Sequence, residues 1–156
     1  MSRIVGLTSQ NAPARIGGMV AALSAGVAVA PRAARTLEVS AAMSLAATSH
    51  RETVTAVQHG HMTVVLDGAV YNRADLGVPD RKPVDDARLI AEMTERYGFP
   101  GALARINGDF AIALHDARDG ALWLARDRMG VKPLFYATAP GLFAFASRPR
   151  DRKSVV

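Results

Sequence analysis

The hydrophobic pattern changes period twice along this chain. From Arg3 to Ser9 a β-branched and apolar run stops at Gln10-Asn11 and Pro13, which predicts a first strand meeting a turn. Ala14 to Ala30 is alanine-rich and ends before Pro31, which favours a helix, while Gly17, Gly18 and Gly26 count against one. Short apolar or β-branched runs at Leu37 to Val39, Met43 to Ala47, Thr53 to Val57 and Met62 to Val70, separated by turn residues, predict a meander of strands. After Tyr71-Asn72 the period becomes helical. Pro83-Val84-Asp85-Asp86 supplies a capping residue, and Leu89, Ile90, Met93 and Tyr97 recur at helical spacing up to Gly98, a C-cap residue. A helix is therefore predicted from about Val84 to Tyr97, with Leu89, Ile90 and Met93 buried. Leu103 and Ile106 predict a short second helix before Asn107-Gly108. Strand runs then return at Phe110 to His115, Ala121 to Ala125, Leu134 to Ala137 and Leu142 to Ala146, with Asp119-Gly120 marking a hairpin. Phe110, Ile112 and Leu114 alternate onto one strand face and read as core. Strands clustered on either side of helices, without strict alternation, give an α+β fold.

Composition narrows the function. At 156 residues the chain has the length of one domain, and 49% hydrophobic with 21% charged residues suits a packed core. The charge balance is 19 − 14 = +5, but Arg148, Arg150, Arg152 and Lys153 lie together in a basic C-terminal stretch, and aromatics are only 6%. No face for nucleic acid is expected. Cysteine is absent, which removes disulfides, thiolate metal ligands and a thiol nucleophile. His59-Gly60-His61 would set two rings on one strand face, yet zinc needs a third ligand and the run coincides with a hairpin signal, so a solvated turn is expected, with no metal and no cofactor. Ile16 to Pro31, the longest uncharged run, is too short to span a membrane. Arg3 and Arg15 ahead of an apolar stretch ending in Ala28-Val29-Ala30 also fit a leader peptide, although Ile4 to Leu7 reads better as a buried strand. A cytoplasmic location is the expectation.

The second half of the chain carries a compound motif. Ile106-Asn-Gly-Asp-Phe-Ala-Ile-Ala-Leu-His-Asp116, then Leu124-Ala-Arg-Asp-Arg-Met-Gly-Val-Lys-Pro-Leu-Phe-Tyr-Ala137, then Gly141-Leu-Phe-Ala-Phe-Ala-Ser147, resembles the class II glutamine amidotransferase domain of asparagine synthetase-type proteins. Leu66-Asp-Gly-Ala-Val-Tyr-Asn72 resembles that family's N-G-E-I-Y-N strand, Asp85-Asp86 its S-D pair, and Met1-Ser-Arg-Ile-Val-Gly6 its M-C-G-I-V-G opening. The resemblance spans residues 1–147, more closely from Val64 to Ser147 than from Gln10 to Gly60, and leaves 148–156 as a basic tail. It implies an N-terminal-nucleophile hydrolase fold, two antiparallel sheets between helical layers, that hydrolyses glutamine to ammonia. In that chemistry residue 2, freed by loss of Met1, supplies both the nucleophile and an α-amine of pKa about 8 as base. The oxyanion is held by donors of the N-G pair.

The positions that would do this chemistry depart from the family pattern. Ser2 stands in the place of the nucleophilic cysteine, Arg3 of a glycine, Asp67 of the oxyanion-holding asparagine, and Ala69 of a glutamate that meets the substrate ammonium. Gly68 and Asp86 keep the family identities. Ser2, Asp67, Gly68 and Asp86 are thus the candidate site, with Arg51 near the place of a substrate-carboxylate arginine. Asp86 also reads as a helix N-terminal residue favoured by the dipole, and Arg126-Asp127-Arg128 as an ion-pair turn. The resemblance extends to the domains that precede the ATP-using domain of beta-lactam synthetases and lasso-peptide cyclases, whose glutaminase pocket is dispensable. The expected function is a degenerate amidotransferase-like domain, without glutaminase activity, that partners an ATP-using synthetase domain or subunit; an active N-terminal-serine amidohydrolase acting through Ser2 on a glutamine-like small molecule is the alternative. Ser2 is expected near Gly68 at a sheet edge. The fold is expected to be incomplete at its C-terminus, leaving one of the last two strands as an open edge for a partner or a homodimer.

Overall fold

The structure, a computed structural model, describes residues 2–8, 33–40, 42–49, 56–78 and 85–147. Its strands are β1 (Ser2–Thr8), β2 (Ala33–Ser40), β3 (Met43–Ser49), β4 (Ala56–His59), β5 (Met62–Val70), β6 (Gly108–Asp116), β7 (Ala121–Arg126), β8 (Phe135–Ala139) and β9 (Leu142–Ala146). Among the described residues, the helix α1 (Asp86–Arg105) is broken at Gly98, whose positive φ ends a first segment before Pro100 opens the second. The two predicted helical segments are both present. The first begins at Asp86, with Asp85 as its N-cap: the Asp85 carboxylate accepts from Ala87 N–H at 3.0 Å.

Every strand pairing is antiparallel. One sheet has the order β2-β3-β1-β9-β8, the other β4-β5-β6-β7. Alternation along the strands sorts the residues between two layers. Ile4, Leu45 and Phe145 from the first sheet meet Ala56, Val65, Ala111 and Ala113 from the second, large residues against small ones, as close packing requires. A β-carbon on Gly6 would overlap the Phe145 ring, so glycine makes room for it. On the other face of the second sheet, Val64, Leu66, Phe110, Ile112 and Leu114 pack against Leu89, Ile90 and Met93 of α1. Each of those side chains, fully buried, contributes roughly 1.5–3 kcal/mol. The predicted core residues of α1 and β6 are all buried.

One expectation is corrected. β1 is not an edge strand, since it runs between β3 and β9, with Ser2 at its N-terminal end ahead of the β9 pairing that begins at Val5. Among the described residues β8 is the edge strand of its sheet and is exposed at every position, whereas β9 pairs with both β1 and β8, which fits the expectation that one of the last two strands forms the edge. The helix weighed at Ala14 to Ala30, the first residues of the Thr53 to Val57 run, and the basic tail all lie outside the described residues, as does Arg51. No helix among the described residues is long and apolar enough to cross a membrane.

Candidate functional site

β5 carries the first two candidates. Asp67 lies opposite Ala111 of β6 and shares a strand face with Val65, which places its carboxylate in the layer between the sheets. Its side chain is only 5% exposed, and Lys132 Nζ donates to Asp67 Oδ1 at 2.8 Å. Gly68 has φ +135°, and a β-carbon there would lie 1.9 Å from the Asp109 carbonyl oxygen. Only glycine satisfies both conditions, so the backbone alone accounts for a glycine at this position.

The lysine is aimed by a turn built on Asp127. That carboxylate is buried and accepts from Val131 N–H at 2.8 Å, Lys132 N–H at 2.9 Å and Phe110 N–H at 3.3 Å. Burial pushes the Asp127 carboxyl up, but backbone donors from Lys132, Val131, Phe110 and Gly130 outweigh it and hold the group below the usual carboxylate range. Arg126-Asp127-Arg128 is therefore more than an ion-pair turn, because Asp127 organises the backbone that presents Lys132.

Asp86 is held elsewhere. Its Oδ2 accepts from Val70 N–H at 3.1 Å, and the Arg73 guanidinium pairs with Oδ1. Asp85, and not Asp86, caps the helix, and burial raises the Asp85 carboxyl above its ordinary value. Beside this pair, Tyr71 O–H donates to Asp109 Oδ2 at 2.6 Å, which keeps the phenol protonated to higher pH than usual.

Position 2 begins a strand that is pinned two residues further on. Ile4 N–H donates to Ser147 Oγ at 3.1 Å, and Ser147 N–H donates to the Ile4 carbonyl at 3.0 Å. Ser2 pairs with Ser49 through the backbone. Arg3 is buried and falls on the strand face of Val5 and Leu7, away from the Ile4 side that packs between the sheets. The structure thus joins Asp67 to the inter-sheet layer, sets Gly68 beside it against the Asp109 backbone and Asp86 at the helix start, and adds Lys132, Arg73, Asp127 and Ser147, none of which was assigned a site role from the sequence. Lys132, Asp127 and Ser147 were inside the quoted motifs, and that membership was the signal available.

His59 and His61 flank the β4–β5 turn at Gly60, facing Glu95 at 3.6 Å and Asp116 at 3.8 Å respectively. Among the described residues no group of three His, Cys, Asp or Glu is arranged to hold a metal.

Comparison with known proteins bears on the family and the fold. A family described as the glutamine amidotransferase domain matches residues 39–151. The chain is similar to asparagine synthetase [glutamine-hydrolyzing] 2 of Bacillus subtilis, 34% identical over 58% of this chain and 12% of the relative. It is also similar to a putative asparagine synthetase [glutamine-hydrolyzing] 1 of Methanocaldococcus jannaschii, 49% identical over 59% of this chain and 17% of the relative. The chain spans less than a fifth of the length of these curated relatives. Its fold matches that of the glutamine phosphoribosylpyrophosphate amidotransferase of B. subtilis with a TM-score of 0.71 at 13% identity, over 98% of this chain and 43% of that one. The chain belongs to the glutamine amidotransferase domain family, in its class II, asparagine synthetase-like form, and carries no cysteine nucleophile.

Proposed function

We propose that this domain is a non-hydrolytic member of its family, serving an ATP-dependent, amide-forming system of the asparagine synthetase type, as in the beta-lactam synthetases and lasso-peptide cyclases it resembles. One observation carries the reading: the residue in the place of the oxyanion-holding asparagine is a buried carboxylate already bonded to Lys132. An oxyanion hole must present donors to developing negative charge, and loss of one donor costs on the order of 100- to 1000-fold in rate. A carboxylate there presents an acceptor, and its ammonium partner is spent on it. The hydroxyl of Ser2 is also a weaker nucleophile than the family's thiol. With hydrolysis lost, the domain's remaining task is architectural, and a synthetase-type partner is its natural contact.

That contact is the β8 side of the molecule. Phe135 and Tyr136 are exposed on β8, an edge strand among the described residues, and Met129 and Val131 are exposed on the turn that leads into it. Backbone groups on such an edge accept a further strand.

A serine-directed acylating probe with intact-mass readout separates this reading from the alternative of an active N-terminal serine. The expected result is no adduct at Ser2 beyond that of a Ser2→Ala control. Stoichiometric acylation of Ser2 after loss of Met1 would favour the active enzyme.

A further inference from the structure

We infer that Lys132 is a tethered ligand of the layer between this domain's own sheets: its ammonium occupies, from within, a primary-ammonium site whose anchor is the Asp67 carboxylate. The inference rests on the reading of the pocket as non-hydrolytic, and names what fills it. Three features converge. The Asp67 side chain is 5% exposed and lies between the sheets, where an anion is costly without a cation beside it. Lys132 Nζ reaches it at 2.8 Å across 65 residues of sequence. The lysine is not simply drawn in by charge, because its backbone is fixed by Asp127, which binds both Val131 N–H and Lys132 N–H and also ties the turn to Phe110 on β6. The result is an arm with a fixed root that delivers an ammonium to the Asp67 carboxylate. The second acidic candidate is filled in the same manner, Asp86 by Arg73. An external ligand that depends on an ammonium group would have to displace a cation that is covalently part of the protein, and so has a high effective concentration. Ligands without an ammonium group face no such competition.

Removing the arm beyond its β-carbon deletes the atoms of n-propylamine. Lys132→Ala should therefore melt roughly 10 °C below the unmodified chain, and n-propylammonium chloride should raise its melting temperature saturably, beyond the effect of sodium chloride or n-propanol at the same concentration. The unmodified chain and the Asp67→Asn/Lys132→Ala double variant should show no such specific response. A Lys132→Ala response equal to that with sodium chloride, or an equal response in the double variant, would overturn the inference. Should Lys132→Ala fail to fold, acetic anhydride labelling of folded protein decides it: Lys132 should react at least tenfold more slowly in the unmodified chain than in Asp67→Asn, and equal rates would overturn it. Neither outcome depends on whether Ser2 hydrolyses glutamine, so failure of the tethered-ligand inference is distinguishable from failure of the functional reading.

Discussion

Lys132 Nζ sits 2.8 Å from Asp67 Oδ1, in a layer where the carboxylate is almost wholly excluded from solvent. The pair joins the turn after β7 to the middle strands of the second sheet. It also sets an ammonium beside a carboxylate that the fold buries between the sheets.

Breaking that unit from one side should be costly. Lys132→Met retains the aliphatic bulk and removes the charge, so a buried carboxylate loses its ammonium, and about 3 kcal/mol of stability should be lost. Asp67→Asn/Lys132→Met should recover most of it, since two neutral groups replace the pair. Urea unfolding of both variants gives the answer, and equal destabilisation by single and double changes would show that the charge pairing is not what matters.

Ser147 should matter through Ile4. Ser147→Ala removes the hydroxyl that accepts from Ile4 N–H in a buried position, at a cost of about 1–3 kcal/mol. Amide exchange at Ile4 should accelerate in the variant while exchange on β5 and β6 keeps its protection. No change at Ile4 would mean that the strand is held by its neighbours alone.

Acid should weaken the fold through Asp116. Its hydrogen bond with Arg118 lowers the carboxyl from 3.8 to about 2. A depressed carboxylate contributes stability that is fully present above the unfolded value and is lost as the pH falls through the folded one. The unmodified chain should therefore lose stability between pH 4 and pH 2 more steeply than Asp116→Asn. His115 adds a loss at higher pH: burial lowers its pKa, so the unfolded state takes up its proton first and stability declines as the pH drops below about 6.5. His115→Gln should flatten that part of the urea-midpoint profile.

Much of this was legible in the sequence. β5 and β6 announced themselves because alternating apolar residues must divide between a helix-facing and an inter-sheet layer, and Gly98 marked a helix end because its positive φ excludes most other residues. Asp85 and Asp86 were assigned to the helix start, but not which of them caps it and which enters a buried ion pair, because the two look alike when two aspartates are adjacent. The pairing of Asp67 with Lys132 left no periodic trace, since it is made across the fold by residues 65 apart. The interior position of β1 was likewise hidden, because strand order depends on pairings between distant segments.

The central claim is that this pocket does not hydrolyse glutamine, and ammonia release tests it most directly. With Met1 removal verified by intact mass, the unmodified chain incubated with amide-¹⁵N-labelled glutamine should release no more ¹⁵N-ammonium than Ser2→Ala, and Ser2→Cys alone should not restore turnover while Asp67 remains. Release by the unmodified chain above the Ser2→Ala control would contradict the account.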